Sequence, residues 1–142
     1  MPSLTPTSSW TLDHVGIAVH NLDDAIQHYN DTVRAHVRAR EIVTEQGVEL
    51  VFLDMPGTTI ELIAPLHETS SVASFLRKRG EGLHHVCYRV EDIVQELDRL
   101  EKRGFRLIDR TPRPGANKTH IAFIHPASCH GVLTEICEYS RR

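Results

Sequence analysis

Two histidines and two glutamates recur at matching places in the two halves of this 142-residue chain. Leu12, His14, Val15 and Val19 reappear as Leu83, His85, Val86 and Val90, an offset of 71, and Glu61 in Thr-Ile-Glu-Leu-Ile answers to Glu135 in Leu-Thr-Glu-Ile-Cys at an offset of 74. The His-to-Glu separation is 47 residues in the first copy and 50 in the second. Similar spacing in each copy predicts one shared site fed by both halves. Two imidazoles and two carboxylates form a borderline-hard donor set, suited to cobalt, manganese, nickel, zinc or ferrous iron and poor for copper(I) or an iron–sulfur cluster. A divalent ion held by His14, Glu61, His85 and Glu135, with water or substrate oxygens completing its shell, acts as a Lewis acid. It stabilises the negative charge that develops on oxygen when a carbon beside a carbonyl loses its proton. The chemistry predicted is enolisation.

Taken singly, a histidine in an apolar strand is more often a satisfied core residue than a ligand, and Glu61 between Ile60 and Leu62 could simply face solvent. Recurrence of the whole set shifts the balance, because buried charge needs a partner. Strand alternation points His14, Gly16 and Ala18 one way, and His85 and Cys87 one way in the second copy. These small neighbours leave room for an ion and a substrate where an ordinary sheet core would favour larger residues. The same parity turns His84 to the opposite face from His85. Cys87 and Cys137 read as small buried packing residues.

The site needs elements to hold it, and their order also repeats. Thr11 to Val19 is strand-like, and Asn21 then offers an N-cap ahead of Ala25, Ile26, Tyr29 and Val33 at helical spacing. Arg38–Val43, Gly47–Met55 and Thr58–Ala64 are β-rich, the last two separated by Pro56-Gly57. Ser70 and Ser71 can cap a short helix closed by Gly80. The second copy starts with a Leu83–Val90 strand. A helix follows, capped by Asp92 and striped by Ile93, Leu97 and Leu100, and then strands are predicted at Phe105–Asp109, His120–Ile124 and Val132–Cys137. The fold class expected is α+β, two pseudo-twofold-related βαβββ modules whose similar sheets form a curved mixed sheet around a metal site. The expected division is a flexible tail at 1–10 and a single domain at 11–142, made of module one (11–66), a linker helix (67–81) and module two (82–140).

Bulk properties exclude several classes. The net charge of −3 and pI near 6.3 lack the basic excess of a nucleic-acid-binding protein. No window approaches the roughly 18 apolar residues of a spanning helix, and the Ser/Thr/Pro-rich start does not read as a signal peptide, so no membrane partner is expected. Three cysteines without a Cys-x-x-Cys pair argue against a disulfide framework and a thiolate zinc site, and the default compartment is a reducing cytoplasm. Halves of about 70 residues are too small for separate generous cores, and burial gained by pairing makes a homodimer the expected assembly.

Leu-Asp-His-Val-Gly-Ile-Ala-Val (12–19), Glu-Gln-Gly-Val (45–48), Ile-Glu-Leu-Ile-Ala-Pro-Leu (60–66), Gly-Leu-His-His-Val (82–86) and the segment from His125-Pro126 to Glu135 resemble the methylmalonyl-CoA epimerases of the vicinal oxygen chelate superfamily. The resemblance runs from Leu12 to about Glu138, and the linker Ser71–Gly80 is similar to that of the epimerases in particular. It implies paired βαβββ modules, a divalent ion with cobalt expected ahead of manganese, nickel or zinc, His14, Glu61, His85 and Glu135 as ligands, and an acyl-CoA substrate. The implied reaction interconverts (R)- and (S)-methylmalonyl-CoA by proton abstraction and return through an enolate. Some family members carry glutamine at the position of Glu61 and a separate catalytic glutamate three residues after the glycine of Glu-Gln-Gly-Val; this chain has Leu50 there, and its neighbour Glu49 should face away. Inversion needs a base on either face of a planar enolate, and the pseudo-symmetric placement of Glu61 and Glu135 makes them the candidate catalytic residues, as ligands and bases at once.

Arg110, Arg113 and Lys118 flank a loop that could close over the site and meet coenzyme A phosphates, Ser128 and His130 could shape the pocket mouth, and His125 reads as structural. A glyoxalase I-type isomerase is the nearest alternative, since the same four donors would support an enediolate. A ferrous dioxygenase using His14, His85 and one glutamate, and a non-catalytic binding module, stand further off.

Overall fold

The computed structural model describes residues 9–140. Its elements run β1 (Thr11–Ala18), α1 (Leu22–Val33), β2 (His36–Val43), β3 (Val48–Met55), β4 (Thr58–Pro65), α2 (Ser71–Arg79), β5 (Gly82–Arg89), α3 (Ile93–Lys102), β6 (Arg113–Pro114), β7 (Thr119–Ile124) and β8 (Thr134–Tyr139). The helix starts follow local chemistry. The side chains of Asn21, Ser70 and Asp92 each accept a backbone N–H three residues on, from Asp24, Ala73 and Gln95, and so satisfy donors that a first helical turn leaves open. Most of the expected N-terminal tail lies outside the described residues. Trp10, its last member, is held: the indole packs 5.9 Å from the Tyr88 ring and donates to Glu96.

The strands form one continuous eight-stranded sheet in the order β2-β3-β4-β1-β5-β8-β7-β6. Each module contributes the same half: β1 runs parallel to β4 and β5 parallel to β8, with antiparallel neighbours beyond. The similar sheets of the two modules join into the one curved mixed sheet expected, because β1 and β5 pair antiparallel across the pseudo-twofold axis. Sharing that seam joins the two small half-units in one sheet.

The two faces do different work. On the outer face α1 packs over Val51, Leu53 and Leu62, and α3 packs its Ile93, Leu97 and Leu100 stripe over Ala122, Ile124 and Ile136. Full burial of such side chains stabilises by about 1.5–3 kcal/mol each. On the inner face, Val48, Leu50, Phe52 and Ile63 meet Val72 and Leu76 of α2, while Cys87, Ile121, Phe123 and Cys137 form a second patch. The ligand candidates lie between these two inner patches.

One predicted strand does not form as drawn. Phe105–Asp109 is an irregular segment touching the sheet through a single bridge, Leu107 to Ile124, and the edge strand of module two is instead the two-residue β6. Ile108 N and Asp109 N still donate to Phe123 O, and His125 N donates to Arg106 O, but Arg106 N donates to Ser128 Oγ and Phe123 N to Asp109 Oδ2. Side-chain acceptors interrupt the ladder that alternation alone suggested.

Gly16 sits directly opposite His85 across the seam. A Cβ there would lie 2.1 Å from His85 Cε1, so only glycine lets the His85 ring lie over β1. Gly16→Ala must displace that ring. The expected outcome is a folded protein with a lowered thermal midpoint and loss of stoichiometric Co²⁺ uptake, read by calorimetry and elemental analysis; full uptake would refute the role given to this contact.

Candidate metal centre and active site

Each of the four adjacent central strands supplies one donor: Glu61 from β4, His14 from β1, His85 from β5 and Glu135 from β8. All four are buried, with residue exposures of 4 to 6 %. His14 Nε2 lies 3.3 Å from His85 Nε2, 3.3 Å from Glu135 Oε1 and 3.6 Å from Glu61 Oε2, and His85 Nε2 lies 3.3 Å from both Glu61 Oε1 and Glu135 Oε1. His14, Glu61 and His85 have donor atoms mutually within 4.8 Å. Donors about 2.1 Å from a shared ion stand about 3.0–3.4 Å apart along the edges of an octahedron or tetrahedron, so the observed spacing fits a divalent cation. A second group, Asp13, His14 and Cys87, also falls within 4.8 Å; there the Asp13 carboxylate is engaged by His14 Nδ1 and Tyr139, and burial pushes the Cys87 thiol up.

Aromatic rings wall the centre symmetrically. Phe52 of β3 lies edge-on to His14 at 5.9 Å, and Phe123 of β7 lies edge-on to His85 at 5.9 Å. Phe52 pairs with Glu61 and Phe123 with Glu135, so the repeat extends to the rings beside each carboxylate. Their offset is again 71, a signal the sequence carried and the reading of titratable groups passed over.

The seam contains two β-bulges. Between Leu12 and His14, Asp13 is an extra residue in β1; between His85 and Leu83, His84 is an extra residue in β5. A bulge breaks strict alternation. His84 therefore does not turn away as parity predicted: it lines the cavity, and its Nδ1 lies 2.8 Å from His85 Nδ1. Asp13 Oδ2 lies 2.7 Å from His14 Nδ1, and Tyr139 Oη donates to Asp13 Oδ1 at 2.8 Å. Asp13, His84 and Tyr139 were missed from the sequence, although Asp13 and His84 share the offset of 71.

Charge compensation is visible at His14, His85, Glu135 and Asp13. Burial works against a charged His14, yet hydrogen bonding to Asp13 and Glu135 and the charge of Glu61 push it up to about 11. His85 is opposed by burial in the same way and raised to about 9 by Glu135 and Glu61. Burial would raise Glu135, but the charge of His85 and hydrogen bonds from both imidazoles hold it well below the usual carboxylate range. Asp13 is likewise held low, against burial, by His14 and Tyr139. His84 goes the other way, pressed down to about 4 by burial and by His85, and is neutral at pH 7.

The four donors open on a cavity of about 840 Å³ whose wall includes Leu50, Phe75, Lys78, Arg79 and Arg113. Leu50 is 2 % exposed and faces this space, whereas Glu49 pairs with Arg40 at 3.0 Å on the other side of its strand. Of the three basic residues read as loop contacts, Arg113 reaches the cavity; Arg110 is engaged by Glu101 at 2.7 Å, and neither it nor Lys118 lines the cavity. Ser128 and His130 do not line it either, and Gly131 and Val132 take that place. His125 Nδ1 accepts Ala127 N–H and caps a short turn, a structural role.

Paired βαβββ modules with one donor from each central strand define a vicinal oxygen chelate fold. The model of the glyoxalase/bleomycin resistance protein/dioxygenase superfamily matches residues 13–123. The ethylmalonyl-CoA/methylmalonyl-CoA epimerase of Cereibacter sphaeroides is 41 % identical over 127 residues, 88 % of this chain and 95 % of that protein. The crystal structure of methylmalonyl-CoA epimerase from Mycobacterium tuberculosis is 42 % identical with a TM-score of 0.91, covering 97 % of this chain and 94 % of that one. A methylmalonyl-CoA epimerase in complex with methylmalonyl-CoA and NH4+ is 34 % identical with a TM-score of 0.88, covering 94 and 96 %. The chain belongs to the glyoxalase/bleomycin resistance protein/dioxygenase superfamily and, within it, to the methylmalonyl-CoA epimerase family.

The raised imidazoles give a pH test. Both hold protons in the folded chain to higher pH than an unfolded histidine, near 6.5, does. Their stabilisation of the ion-free protein is complete below about pH 6.5 and is lost as pH rises through about 9 for His85 and about 11 for His14. The thermal midpoint of chelator-treated protein is expected to fall between pH 7 and 10. Co²⁺ added in weak buffer should release protons, read with an indicator dye, because ligation requires neutral imidazole. A flat midpoint and no proton release would contradict this electrostatic picture.

Proposed function

We propose that this protein is a methylmalonyl-CoA epimerase whose His14, Glu61, His85 and Glu135 hold a divalent ion, with cobalt the expected metal. The observation that carries the reading is the convergence of two imidazoles and two carboxylates within 3.6 Å contacts at the base of an acyl-sized cavity. When bound, the ion supplies Lewis-acid stabilisation of enolate charge on the thioester oxygen. The chain supplies the rest. Glu61 and Glu135 come from opposite modules and approach the imidazole pair from β4 and β8, which suits one to take the proton and the other to return one on the opposite face. Leu50 is apolar and Glu49 is tied to Arg40 outside, so neither serves as a base. Asp13 is engaged by His14 and Tyr139.

Phe52, Phe123, Ile63 and Val72 exclude water from the reacting carbon and strengthen every charge interaction there. Lys78, Arg79 and Arg113 on the wall suit the substrate's carboxylate and the coenzyme A phosphates. A homodimer in a reducing cytoplasm completes the proposal, and no described helix is long and apolar enough to cross a membrane. The His/Glu/His/Glu set equally suits a glyoxalase-type enediolate. Turnover of the methylglyoxal–glutathione adduct in preference to methylmalonyl-CoA would favour that second reading.

Glu61→Gln keeps an oxygen donor and removes the base. Epimerisation should fall at least about 100-fold with metal content retained, while solvent deuterium still exchanges into the one enantiomer whose proton faces Glu135, as seen by NMR. Full turnover would remove Glu61 as a base. Charge reversal at Lys78 and Arg79 together should raise KM roughly tenfold, with kcat near the parent value and the effect weakened by salt.

A further inference from the structure

The two bulges of the β1·β5 seam repeat a device that the ligand assignment leaves unused. Each places its extra residue immediately before a candidate ligand: Asp13 before His14, and His84 before His85. In regular strands these residues would face away from their neighbours. Here each turns its polar atom onto the Nδ1 of the next histidine, at 2.7 Å for Asp13 and 2.8 Å for His84. Both are fixed from behind. Tyr139 Oη donates to the second oxygen of Asp13 at 2.8 Å, and the Phe75 ring of α2 stands edge-on to His84 at 4.8 Å.

We propose that Asp13 and His84 are the paired positioning residues of the metal centre, each holding Nδ1 of the histidine that follows it so that Nε2 of both imidazoles is presented to the cation. The inference rests on the metal reading above. An imidazole that ligates through Nε2 carries its hydrogen on Nδ1, and a hydrogen-bond acceptor at that nitrogen selects this tautomer and fixes the ring plane. Asp13 is such an acceptor by charge. His84 accepts through its own Nδ1 lone pair and keeps its hydrogen on Nε2, so the Nδ1-to-Nδ1 contact has one donor and one acceptor. The pair is unequal. A carboxylate makes a stronger, charge-assisted bond than a neutral imidazole does, so His14 is held more tightly and is the better electron donor. His84 adds a connection that Asp13 lacks: through Phe75 it joins α2, between the modules, to the ligand on β5.

The test measures Co²⁺ alone, by competition with a chromophoric chelator, together with the visible spectrum of the cobalt protein and the thermal midpoint of the ion-free protein. Asp13→Ala should weaken Co²⁺ binding about 10–100-fold, with Asp13→Asn between it and the parent. His84→Leu should weaken it by a smaller factor, about tenfold, and alter the ligand-field bands, while His84→Asn, which restores an acceptor near the Nδ1 position, should recover most of the affinity and the parent spectrum. The midpoint should stay near the parent value in the two Asn variants. A parent protein that takes up no Co²⁺ would overturn the metal reading and this inference together. Stoichiometric uptake by the parent, with Asp13→Ala and His84→Leu binding within twofold of it, would overturn this inference alone, as would His84→Asn binding no better than His84→Leu. If either apolar variant fails to fold, the affinity and spectrum of the corresponding Asn variant decide.

Discussion

Two carboxylates and two imidazoles stand within 3.6 Å contacts at exposures of 4 to 6 %, and removing such groups from water costs several kcal/mol for each one that is charged. Such a cluster persists only where each charge meets an opposite one and the donors cannot drift. The sheet supplies that rigidity by giving one donor to each of four hydrogen-bonded neighbours, β4, β1, β5 and β8. Strand spacing then sets the lateral positions, and both outer helices clamp the sheet from behind through fully buried Leu62, Leu97 and Ile136. The site is thus held on the stiffest part of the molecule, and its geometry does not depend on loops.

The number of carboxylates follows from the same constraint. Two glutamates balance a divalent ion, whereas a third unpaired carboxylate facing the cavity would have to be compensated separately. In the arrangement with glutamine as ligand and a glutamate at the position of Leu50, one carboxylate ligates and a second stands off the ion. This chain keeps two but places both, Glu61 and Glu135, beside the imidazoles, and the remaining wall position is filled by a leucine packed with Val48, Phe52, Ile63 and Val72. The consequence is chemical. A carboxylate that ligates is a weaker base than a free one, so under the proposed function the basicity of Glu61 would depend on whether it holds the ion.

Much of this was legible because duplication writes the same constraint twice. The four donors, the module order and the three helix caps all follow from residues whose chemistry is local or which recur at similar spacing in the two copies. The strands that meet at the seam were not legible, since nothing in either copy says that β1 will pair with β5 in preference to closing on its own module. Nor was the irregular run at Phe105–Asp109, where apolar alternation is overridden by backbone donors that find the side chains of Ser128 and Asp109. His84 was misplaced for a related reason. A period of two presumes an unbroken ladder, and a single extra residue reverses every inference drawn from it.

Those bulges also bear on the curl of the sheet. An extra residue on one strand increases the local right-handed twist and bends the sheet. The seam has two, one on each strand, bracketing the Gly16–His85 pair. They lie between the flanking strands β4 and β8 that carry Glu61 and Glu135, whose carboxylates stand 3.3 to 3.6 Å from the imidazoles of the seam. Bending at that place favours such an approach, so the irregularity that turns Asp13 and His84 toward His14 and His85 also sits where the four side chains meet.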